Sequence, residues 1–169
     1  MTLVVCIARP DSRGTIMATA ADPLARPAIR PNYLSAASDE QVLLSGTRHA
    51  RRIFAAPPLA RHSAAETMPS PDISSEDALI DFMHRGGMNL HHPVGTSRMG
   101  EDPMAVVDSR LRVRGIAGLR VIDASVMPTV TTGNTNAPTI MIGEKGAAMI
   151  REDAAAFTAG AAAPARSAA

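Results

Sequence analysis

The chain of 169 residues contains one cysteine, no tryptophan, one tyrosine and three phenylalanines. Each shortage removes a class of explanation. A lone Cys6 permits no intrachain disulfide and no cysteine-rich zinc site. An aromatic share of 2% leaves almost nothing for bases to stack on, and a net charge of +1 with scattered arginines lacks the basic face of a nucleic-acid binder. No run approaches the roughly 20 apolar residues needed to cross a bilayer. Residues 3–8 are apolar but too few, and without a basic start, to act as a secretory signal. These absences lead to the expectation of a cytoplasmic location, or of the periphery of the inner membrane. Three catalytic signatures are missing as well: the His-Glu-x-x-His helix, the Gly-x-Ser-x-Gly elbow, and the Gly-x-Gly-x-x-Gly turn that holds a dinucleotide phosphate. His84, His91 and His92 lie close in sequence. Adjacent residues of an extended segment face opposite ways, which argues against a shared metal ion.

What is present is an ordinary globular composition. Residues classed as hydrophobic make up 46%, and ten are Met, an adaptable filler for a core without aromatics. Residues 3–8 (LVVCIA) read as a buried strand, residues 15–19 as a second, and the proline-containing residues 21–31 as an extended connection. Ser38 and Gln41 have capping-box spacing, so a helix is expected to about Ala55. Val42, Ala50, Ile53 and Phe54 should line one face of it, with Arg48, Arg51 and Arg52 solvated. Pro57-Pro58 stops it, and residues 60–73 read as a mobile surface loop. Ser74 or Ser75 caps a second helix with a stripe of Ala78, Leu79, Phe82 and Met83, ended by Gly86-Gly87. Residues 110–114 alternate as a half-exposed strand, Gly115 and Gly118 turn the chain, and residues 119–122 form a more buried strand. A last helix should run from Ala137 or Pro138 to about Arg151.

Residues 90–138 carry the chemistry. His92 precedes Pro93, which forces extended backbone on it and aims its side chain. A neutral imidazole can take a proton near neutral pH; the competing reading is a structural loop histidine. Asn134, Asn136, Ala137 and Pro138 lie where a helix begins, a place suited to negative charge, and an Asn there can donate to a developing alkoxide. Ordinary capping is the competing reading, above all for Asn136. Asp123-Ala124-Ser125 sits at a strand end, where ligands of α/β proteins gather. Its competing reading is a turn whose Asp bonds nearby backbone.

Three segments in this order, HHPVGTSRMG, DPMAVVDSRLRVRGIAGLRVIDASVMP and GNTNAPTIMIGEKGA, resemble the C-terminal signature of the glucose–methanol–choline flavoprotein oxidoreductases. Choline dehydrogenase and bacterial alcohol dehydrogenase members are the nearest in look. The earlier SRGTI, PNYL and HARRIF match the substrate domain of the same family, so the resemblance covers about residues 3–150. It implies an α+β fold: a mostly antiparallel sheet packed by helices, plus the C-terminal strand and helix that complete an FAD-binding domain. It implies FAD-dependent oxidation of an alcohol to an aldehyde or ketone. His92 falls on the catalytic His and Asn134 on its partner. The flavin contacts fall around Asp123 and Ala124, and around Asn136, Ala137 and Pro138. The residue before the catalytic His is usually aromatic in the family and is His91 here. The expected organisation is a C-terminal substrate and catalytic domain over residues 1–150, with the N-terminal FAD-binding domain absent, and an Ala-rich tail over residues 151–169 that is read as disordered, with Ala-rich helix as the alternative. The implied partners are a small alcohol and an N-terminal FAD-domain chain, without which the isolated chain is expected to be inactive. The alternative is a non-catalytic remnant that binds no flavin tightly.

Overall fold

The computed structural model describes residues 1–161. The chain forms two compact units, Met1–His91 and the residues from His92 onward. The α+β class holds, with the sheet reduced to two strands among the described residues.

In the first unit, β1 (Thr15–Met17) pairs antiparallel with β2 (Ala28–Arg30), Ile16 opposite Ile29. The connection expected over residues 21–31 therefore contains a strand. Pro27 and Pro31 flank it rather than enter it, so its three ladder N–H groups survive. Residues 3–8 form no strand. Val5 lies instead against α1 (Ala37–Ala55), where a Cβ added to Gly46 would be 2.4 Å from its Cγ1.

The capping box is also absent. Ser38 Oγ donates to Asp11 Oδ2 at 2.7 Å, and the Gln41 amide reaches Glu76 at 3.2 Å. A charged acceptor beats a backbone partner for these side chains, and the N-cap of α1 is Ala36 with no side-chain bond. Val42 and Ile53 are exposed, so the inward face differs from the expected one. Leu44 is its buried apolar centre. It clusters with Leu79 and Met83 of α3 (Glu76–Gly86), flanked by Leu34, Leu43, Ile73 and Ile80. Arg51 is half-buried rather than solvated. Its Nε lies 3.1 Å from both Glu66 carboxylate oxygens, and its Nη2 donates to the Ile73 carbonyl at 2.9 Å. These bonds tie the segment expected to be a mobile loop to α1. After Ala56, Pro57 opens the single turn α2 (Pro57–Ala60). Ser75 caps α3 as expected, accepting from the Ala78 N–H at 3.2 Å.

In the second unit, Val107, Leu111, Val126, Met127 and Ile142 form the core, with Val94, Met99, Ile122 and Met149 against it. The strands expected at residues 110–114 and 119–122 shrink to isolated bridges, Val107 with Val113 and Arg112 with Arg120. Asp108 Oδ1 accepts from the N–H groups of both Arg110 and Arg112, curling the chain. Leu111 between them takes φ 63° and points into the core, which breaks an extended ladder at its centre.

The last helix, α4 (Asn136–Ala161), outruns its expected end by about three turns. Ala is the best helix former, so the Ala-rich composition extends the helix instead of ending it. Arg110 also donates to Glu152 at 3.0 Å and Asp153 at 2.8 Å, and Arg120 pairs with Asp153. Residues 151–161 thus follow the Ala-rich helix alternative; residues 162–169 lie outside the described residues. Among the described residues, no helix is long and apolar enough to cross a membrane.

Candidate active site

Three short segments of the second unit meet through hydrogen bonds. The first follows His92. Gly95 takes φ 89°, which a side chain would strain, and its N–H donates to the Ser125 carbonyl at 3.0 Å. Ser97 N–H donates to the same carbonyl at 3.1 Å, and Met99 N–H to that of Val126 at 2.8 Å. The His-Pro loop is therefore strapped to the 3-10 turn Ala124–Val126. Arg98 then grips Asp102 with two bonds of 2.7 and 2.6 Å, which bring the Asp102 carboxyl down to about 2.

The second segment is that 3-10 turn. Asp123 Oδ1 accepts from the Ser125 N–H at 2.8 Å and from its hydroxyl at 2.5 Å. Asp123 is exposed and caps the turn, while Ala124 is half-buried against the core. The turn-forming reading of this Asp describes its observed bonds.

The third segment is the start of α4. Asn134, Asn136 and Ala137 are exposed, Pro138 is half-buried, and nothing lies within 4 Å of a Cβ added to Gly133. Thr139 N–H donates to the Thr135 carbonyl at 3.0 Å, closing the first helical turn. The N–H groups of Asn136 and Ala137 precede it and have no acceptor within the helix; Pro138 has none to offer. Two N–H groups without a helical acceptor at a positive helix end, beside two exposed carboxamides, suit the carbonyl oxygens and developing negative charge of a flavin pyrimidine ring. By this donor set the residues fit that end of FAD.

His92 joins the first and third segments. Its ring is half-buried, and Nδ1 lies 2.9 Å from Oγ1 of Thr135. Thr135 adjoins Asn134 in the chain, so the imidazole stands against the loop that carries the proposed partner amide. Thr135 itself was no sequence candidate. A Thr between two Asn residues reads as cap filler; Pro138 three residues on was the one available hint, since it deprives a capping hydroxyl of a usual N–H partner.

The family model for GMC oxidoreductases matches residues 10–143. The chain is 46% identical over 149 residues to the alcohol dehydrogenase [acceptor] of Pseudomonas putida, covering 88% of this chain and 27% of that protein. It is 44% identical over 143 residues to an oxygen-dependent choline dehydrogenase of Chromohalobacter salexigens, covering 85% and 26%. Among solved structures, pyridoxine 4-oxidase from Mesorbium loti superposes with a TM-score of 0.79 at 34% identity, covering 86% of this chain and 28% of that one. Formate oxidase of Aspergillus oryzae RIB40, from a study of FAD modification, gives a TM-score of 0.77 at 29% identity, with coverage of 87% and 26%. The chain spans about a quarter of the length of the curated relatives it matches.

Proposed function

Because this chain belongs to the GMC oxidoreductase family, we propose that residues 1–150 form the substrate and catalytic part of an FAD-dependent alcohol oxidoreductase. The observation that supports this most is the placement of His92, bonded at Nδ1 beside the exposed start of α4. Bound FAD would accept a hydride from the alcohol carbon. His92 would accept the hydroxyl proton, and the Asn134 amide would donate to the alcohol oxygen as charge builds on it. The N–H groups of Asn136 and Ala137 would hold the pyrimidine edge of the cofactor, with the helix dipole favouring negative charge there. Pro138 keeps that turn preformed, and Asp123 and Ala124 shape the facing turn. The substrate class is a primary or secondary alcohol, in keeping with the alcohol and choline dehydrogenases named above.

A chimera tests this directly: the chain replaces the matching 149-residue segment of the Pseudomonas putida alcohol dehydrogenase. The expected result is flavin-coupled alcohol oxidation that falls by about 10²–10⁴ with His92→Ala. A folded chimera that neither holds flavin tightly nor turns over supports the non-catalytic alternative. Turnover untouched by His92→Ala removes the proton-acceptor role.

A further inference from the structure

We propose that Thr135 is a positioning residue that selects the tautomer of His92. The imidazole Nδ1–H donates to Thr135 Oγ1, and the Nε2 lone pair is left to receive the alcohol proton. The proposal rests on the reading of His92 as proton acceptor, and it concerns which ring nitrogen does the work.

Three observations carry it. First, the contact of 2.9 Å joins residues 43 apart in sequence, and Thr135 is only 6% exposed. A buried hydroxyl without a partner is costly, so this bond holds both groups. Second, the backbone of Thr135 is tied to the next helical turn. Its carbonyl accepts from the Thr139 N–H at 3.0 Å and from the Thr139 hydroxyl at 2.6 Å, and its β-branched side chain is stiff at χ1. Third, Thr135 immediately precedes the first residue of α4. A hydroxyl in that position ordinarily accepts from the N–H of the second or third helical residue. The third is Pro138, which has no N–H. That leaves the Ala137 N–H as the one usual capping competitor for Oγ1, and the side-chain contact observed is to the imidazole.

With Nδ1 protonated, the proton step balances at one atom. The alcohol O–H bond breaks, an N–H bond forms at Nε2, and the imidazolium keeps its Nδ1–H bond to the neutral Thr hydroxyl. Had Nε2 carried the proton instead, that nitrogen could not accept another. Which nitrogen is protonated is set by the partner of the other one.

The experiment uses the 169-residue chain labelled with 15N-histidine. Imidazole tautomers are read from long-range 1H–15N correlations at a pH where the ring is neutral, and the His92 signal is identified by its loss in His92→Gln. The expected result is a wild-type His92 mainly in the Nδ1–H form. Thr135→Val should shift the tautomer ratio about fivefold toward Nε2–H, the worth of one ordinary hydrogen bond, and Thr135→Ser should restore it. A wild-type His92 mainly in the Nε2–H form overturns the proposal, as does an unchanged ratio in Thr135→Val. The wild-type reading stands even if the Val variant folds poorly. Failure of the parent reading shows elsewhere, as chimera turnover indifferent to His92→Ala.

Discussion

Gly146 of α4 faces Ile122 so closely that an added Cβ would lie 2.5 Å from Cγ2 and 2.8 Å from Cδ1 of that side chain. The glycine lets the helix settle on Ile122, just before the 3-10 turn.

Two opposing effects meet at this position. Gly→Ala inside a helix gains about 1 kcal/mol of propensity. Overpacking against a branched side chain costs about 1–3 kcal/mol. Gly146→Ala alone should therefore lower stability, by about 1 kcal/mol, in urea unfolding. In an Ile122→Ala background the obstruction is gone, and the same substitution should raise stability. An equal effect in both backgrounds would show that the two residues do not meet.

Asp39 is 2% exposed, and its two carboxylate oxygens accept from the N–H groups of Asp11 at 2.8 Å and Ser12 at 2.9 Å. Burial pushes its carboxyl up, but bonds from the Ser12 side chain and these two N–H groups, with the charge of Arg13, outweigh it and hold it below its ordinary 3.8. Asp39→Ala leaves both N–H groups unpaired and should cost about 1–3 kcal/mol. The depressed carboxyl stabilises the fold above pH 3.8, and that contribution fades as pH falls through the lower folded value. The urea midpoint of the wild type should drop below about pH 4, with a shallower slope in Asp39→Asn. Parallel slopes would contradict this assignment.

Asp153 receives Arg110 at 2.8 Å and also pairs with Arg120, whose side chain is 14% exposed. Arg110 additionally donates to the Met149 carbonyl at 3.2 Å. Asp153→Ala should speed amide hydrogen exchange in α4 beyond residue 150 while leaving exchange in its first turns unchanged. Uniform exchange along the whole helix would mean that these pairs anchor nothing locally.

Helices were legible where apolar spacing and caps coincided, as at Ser75 before α3. They were less so where a side chain had a better offer: Ser38 is bonded to Asp11, 27 residues away in sequence, which no local spacing reveals. The alternation of residues 110–114 is real, yet Asp108 gathers the N–H groups a strand would need. Residues 3–8 have strand-forming side chains, but a strand also needs a neighbour, and Val5 meets a helix glycine. For the site, Pro93 and the amide-rich residues before α4 were visible because proline and Asn impose local geometry. Thr135 was not, since its role depends on a residue far back in the chain.

The β1–β2 ribbon has practical weight. It is three residues long per strand, it gains no third strand among the described residues, and Ile16, Met17 and Ile29 are 44%, 63% and 65% exposed. Bare aliphatic side chains grouped on one small ribbon favour self-association as concentration rises. Purified samples of this polypeptide should therefore lose solubility with rising concentration well before they lose helix content on warming.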